Sequence, residues 1–392
     1  MGRKKLFAIV AALVVVPVVL IVAFVAFRGG STETEVAGAD AAQMNPHPVA
    51  GSFKPDDTEL ETCQDGTCYE QAFGNLSFKD GPKAALTLFA EKIASDPGIE
   101  SNCHRIAHNI GSAALARYGG DVGQAFAEGD STCWSGYYHG ILERALIDVR
   151  SNNQLVAAAR NLCVGDTVKS TTFLYYQCVH GIGHGLMIHT GLDLSGSLKV
   201  CEKLKTDWDQ TSCDGGVFME NFNTSYGVRS KFLRDDDPVY PCNAVAERHK
   251  LYCYLQITDR LLQVSSYDWT FAAEKCAGVE RNWRSTCFQS YGRSASGVSR
   301  QDQGMLIAYC NVPDPRWRPD CIYGSVRDIV SQDAGGDRAA KYCRAVATSL
   351  RERCVEGAGT ILSNLAATTD EFRAACERLT TTFLAACLRQ GV

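Results

Sequence analysis

The sequence predicts an all-α protein of disulfide-stapled helical hairpins, an α-solenoid or αα superhelix, behind an N-terminal transmembrane helix. Three observations lead there: an uncharged apolar run near the N-terminus, eighteen cysteines that fall into pairs at a near-constant period, and Ala-rich amphipathic stretches between them.

Residues 1–5 carry Arg3, Lys4 and Lys5 and are expected in the cytoplasm, because basic residues flanking an apolar segment stay on that side. Residues 6–27, Leu6 to Phe27, form 22 residues without a charge, enough to cross a bilayer. The nearest small-residue cleavage motif, Ala37 to Ala42, lies well past the apolar run, which favours an uncleaved signal anchor over a signal peptide. Residues 28–57 hold Gly, Ser, Thr, Glu and three prolines and read as a flexible linker. The expected topology is a single-pass cell-membrane protein with an extracytoplasmic folded part. A net charge of −5 provides no basic footprint, so no nucleic-acid partner is expected.

An even number of cysteines, all beyond the apolar run, fits an oxidising compartment. The absence of any CxxC knuckle argues against a cytosolic zinc protein. Cys63 and Cys68 flank a Gln-Asp-Gly-Thr turn and close a small local loop. Cys103 and Cys133 follow, then the pairs Cys163/Cys178, Cys201/Cys213, Cys242/Cys253, Cys276/Cys287, Cys310/Cys321, Cys343/Cys354 and Cys376/Cys387. The last five pairs are each 11 residues apart and recur every 33 or 34. Within one helix such a spacing spans roughly 16 Å, whereas a disulfide needs Cα atoms about 4.4–6.8 Å apart. The chain therefore turns back inside each pair, with a second helix expected to open at the second cysteine. Linking each second cysteine to the following hairpin would strand Cys103 and Cys387, so bonds within pairs are expected. The period equals that of tetratricopeptide-type repeats, but their Trp, Leu-Gly-x-x-Tyr and Pro signature is absent. Five cysteines open a C-x-x-G pattern, at Cys133, Cys178, Cys213, Cys321 and Cys354, where a glycine lets the helices of a hairpin approach closely.

The chemistry concentrates in residues 58–240, while residues 241–392 hold the regular repeats. His104/His108, His139/Glu143 and His180/His184 are three pairs of ligand-type residues, each four apart and so on one helix face. His139 and His184 both stand six residues after their cysteine, in one column of neighbouring repeats. Met219 holds that column next, beside Glu220, and Asp259, Arg293, Arg327 and Thr360 continue it. Gly181, Gly183 and Gly185 around His184 each cost about 0.8–1 kcal/mol in a helix, which calls for close approach by another helix, a ligand or a cofactor. Tyr137 and Tyr138 are candidates for a pocket wall. His189 lies off the shared face, His47 belongs to the linker and His249 to a charged turn.

Two functions of different class follow. The first is a metal-dependent hydrolase or oxidoreductase with His104, His108, His139, His180 and His184 as metal ligands and Glu143 or Glu220 as ligand or general base. Such donors suit zinc, iron, copper or manganese. A b-type haem held by two histidines is a lesser alternative, while c-type attachment lacks its CxxCH. The second is a non-catalytic, disulfide-stabilised scaffold that binds a protein partner in the cell envelope. Walker, nucleophile-elbow, HExxH and dinucleotide motifs are absent.

Overall fold

The computed structural model describes residues 53–224, 229–333 and 335–391, and the regular elements among them are all helical. The expected anchor at residues 6–27 and most of the linker lie outside the described residues. Among the described residues, no helix is long and apolar enough to cross a membrane.

Phe53, within the stretch expected as linker, is packed into the fold. Its ring is buried against Phe78 and Gly74, and the Asn75 amide donates to Asp56 and to the Thr58 carbonyl. Asn75 opens an Asn-Leu-Ser glycosylation sequon, and its side chain is thereby buried.

All nine expected disulfides are present and no cysteine is free. The regular hairpins share one construction. Asp268, Asp302 and Thr368 cap their outer helices by accepting from backbone amides, and each of these helices carries the first cysteine of its pair. In the repeats of Cys253, Cys287, Cys321 and Cys354 a 3-10 turn then runs straight into the inner helix. Helical hydrogen bonding thus starts three residues before the second cysteine, as in Arg284–Val298 around Cys287, rather than at it.

The inner helices form one continuous row: α1 (Gly66–Asp80), α2 (Cys103–Arg117), α3 (Thr132–Leu146), α4 (Thr172–His189), α5 (Asp207–Phe222), α6 (Lys250–Val264), α7 (Arg284–Val298), α8 (Arg318–Gln332), α9 (Arg351–Leu365) and α10 (Leu384–Leu388). Each packs on the next. The row also curls, so that α8 touches α3 and α9 touches α4. An ion pair at 3.2 Å between Arg300, just after α7, and Glu100, just before α2, also bridges the curl.

Glycines set the spacing of this row. A Cβ on Gly140 would lie 1.8 Å from the His108 carbonyl oxygen, one on Gly216 would lie 2.0 Å from that of His180, and one on Gly324 would lie 1.9 Å from that of Gln289. Gly111, Gly183 and Gly292 face them from the opposite helix. The C-x-x-G glycines therefore serve contacts between inner helices of successive repeats, not between the two helices of one hairpin. Because the inner helices meet backbone to backbone, side chains beside each crossing are brought within reach of the neighbouring helix.

Candidate metal centre

Four adjacent inner helices bring the ligand-type residues together: His104 and His108 on α2, His139 and Glu143 on α3, His180 and His184 on α4, and Glu220 on α5. The start of α3 is strained. Cys133, Trp134 and Ser135 adopt left-handed backbone, with φ of 51°, 54° and 63°, a conformation that costs non-glycine residues on the order of 1–3 kcal/mol each. The Cys133 carbonyl, in this strained turn, accepts from His104 Nδ1 at 2.8 Å.

Three of the remaining four Nδ1 atoms also face a partner. His184 Nδ1 bonds Glu220 at 2.9 Å, and His108 Nδ1 lies 2.7 Å from Glu143. His180 Nδ1 lies 3.2 Å from the Tyr176 hydroxyl. With Nδ1 engaged on four rings, the opposite nitrogens face inward. The Nε2 atoms of His104 and His108 are 3.0 Å apart, and those of His180 and His184 are 3.3 Å apart. Two imidazoles on one tetrahedral metal, at about 2.0–2.1 Å each, hold their nitrogens roughly 3.3 Å apart.

His139 sits between the two pairs. Ligand atoms of His104, His108 and His139 lie within 4.8 Å of one another, as do those of His139, His180 and His184. Its ring stacks on His184 with centroids 4.1 Å apart. It is 1% exposed, yet neither of its nitrogens has a hydrogen-bond partner among the described residues. An unsatisfied buried polar group costs about 1–3 kcal/mol, so the site fits an additional group placed between the pairs.

Burial holds all five imidazoles in the neutral, metal-binding form. It pushes His104 down to about 3, with the His108 charge adding to the effect, and His108 down to about 4 against the pull of Glu220. His139, His180 and His184 are lowered well below the usual 6.5, first by burial and then by neighbouring imidazoles.

Gly183 packs on α5, and Gly181 and Gly185 pack on Leu142 and Leu146 of α3. These glycines therefore serve helix contacts rather than clearing space for a cofactor ring. Tyr137 and Tyr138 are core residues rather than pocket wall: the Tyr137 hydroxyl donates to the Ala125 carbonyl, and Tyr138 packs on Phe126. His189 is buried apart from the cluster, and His47 lies outside the described residues. His249 differs most from its expected place in a charged turn: it is buried, with Nδ1 2.6 Å from Asp214 and Nε2 3.1 Å from Glu202.

The histidines border a cavity of about 340 Å³ inside the curl, reached by His139 and His180 on one side. Trp134, Tyr176 and Trp208 form apolar wall, while Arg293 of α7, Arg327 and Asp328 of α8 come from the opposite arc. The sequence puts Arg293 and Arg327 in the histidine column but among the regular repeats of residues 241–392, apart from the histidine-rich stretch. Their shared register was the signal that could have found them.

No protein-family model, curated protein or solved structure matches this chain.

Proposed function

We propose that the chain is a metal-dependent enzyme of the hydrolase or oxidoreductase class, acting on a small molecule in the central cavity. The observation that carries this reading is the buried, unpartnered His139 between two histidine pairs. A wholly structural histidine network would be expected to satisfy so deeply buried a member. His104, His108, His139, His180 and His184 would supply the nitrogen ligands, for one ion or for two that share His139. A zinc, iron, copper or manganese ion held there would supply Lewis acidity.

The chain's own contribution is orientation. Glu143 and Glu220 contact histidine Nδ1 atoms, which suits them to fixing tautomer and ring position rather than to moving substrate protons. Cys133 and Tyr176 act similarly on His104 and His180. The nine disulfides and the apolar run at residues 6–27 support a location on the outer side of the cell membrane. A cavity lined by histidine, aromatic and arginine side chains favours this reading over a scaffold without chemistry.

The test is metal analysis of the purified full chain and of His139→Leu and His184→Ala. The expected result is a stoichiometric transition metal in the parent and none in either variant. His139→Leu should be as stable as the metal-free parent, since it removes an unsatisfied buried group. Metal-free parent protein that loses stability on His139→Leu would instead establish a structural histidine network.

A further inference from the structure

We infer that the substrate of this cavity carries an oxyanionic group, a carboxylate or a phosphate, held by Arg293 and Arg327 opposite the histidines. The inference rests on the metal-centre reading for the reacting half of the site, but its own observations lie in α7 and α8.

Both arginines stand six residues after their repeat's second cysteine, as His139 and His184 do. One register of the repeat thus supplies metal ligands on one arc of the coil and guanidinium groups on the other, and the curl turns the two arcs toward one cavity.

Arg327 is not neutralised in the way that structural arginines usually are. Arg327 has no ion pair among the described residues; its Nε is buried without a partner, and its guanidinium lies 5.5 Å from the Tyr323 ring. Arg293 contacts Gln256 and pairs with Asp259 at 3.6 Å, which leaves Arg327 as the uncommitted member of the two. A planar guanidinium with unused N–H groups in a part-enclosed cavity is suited to bidentate capture of a carboxylate or phosphate. Trp134 and Trp208, 39% and 42% exposed, offer apolar surface in the same cavity for the uncharged remainder of the ligand.

The experiment is calorimetric titration of the full chain, with metal content measured on the same samples. Phenyl phosphate and benzoate serve as anionic probes and benzyl alcohol as the neutral one. At least one anion should bind, and which one does so separates a phosphoryl from a carboxyl head group. Arg327→Ala should weaken that binding by at least about tenfold without changing metal content, and Arg327→Lys, which keeps the charge but loses the fork, should fall between. Failure of both anions to bind metal-loaded parent protein, or equal binding by folded Arg327→Ala, overturns the inference. Anion binding that depends on Arg327 in a chain that takes up no metal would uphold the arginine half and reject the metal reading alone.

Discussion

His139 and His184 lie face to face with ring centroids 4.1 Å apart and planes inclined by 15°, although they belong to different repeats. The contact exists because α3 and α4 are consecutive members of the inner row and both residues occupy one register of the repeat. Imidazoles stacked this closely cannot both be protonated cheaply, and each is held neutral by burial and by the other histidines.

Replacement of Glu220 by Gln, or Glu143 by Gln, leaves the histidines in place but removes the carboxylate beside Nδ1. Metal affinity is expected to fall by about 10–100-fold, with full occupancy recovered at high metal concentration. Competition against a chromophoric chelator measures the change. Affinity unaltered in both variants would mean that the carboxylates do not orient ligands.

Acid should destabilise the metal-free protein steeply. Unfolded histidines titrate near 6.5, whereas His104 and His108 in the fold titrate near 3 and 4, and the other three well below 6.5. The unfolded chain therefore binds more protons, and stability present above pH 6.5 is lost as the pH falls toward 4. Each such histidine contributes a slope of up to about 1.4 kcal/mol per pH unit. Urea midpoints at pH 7, 6 and 5 should fall in turn; a midpoint independent of pH would contradict the neutral cluster.

The glycine crossings are expected to be intolerant of a single methyl group. Gly140→Ala would drive a Cβ into the His108 carbonyl and part α2 from α3, while Gly324→Ala would do the same to α7 and α8. Each should cost about 1–3 kcal/mol or more, seen as a lower Tm. Metal uptake should be lost in Gly140→Ala and retained in Gly324→Ala. Loss of metal in both would show that the two arcs are not separable.

The hairpins and their staples were legible in the sequence because a disulfide tolerates only a short Cα separation, so a constant spacing of 11 forces a reversal between Cys276 and Cys287. The histidine faces were legible for an equally local reason, the helical proximity of positions four apart. The partners of Nδ1 were less visible: Glu143 was marked as a ligand or base on α3, but its contact is His108 on α2. His249 was obscured by its charged neighbours, because Asp214 and Glu202, which bury it, lie 35 and 47 residues away.

Sequence alone thus determined the repeat, the cysteine pairing and the column that holds His139, His184, Arg293 and Arg327, since each depends on periods of one helix or one hairpin. Only the tertiary structure decided that the column closes on itself. Curvature accumulates as each inner helix packs on the next, and no local window contains the sum. That sum brings α8 back to α3 and makes one cavity of two arcs that the sequence presents as separate halves.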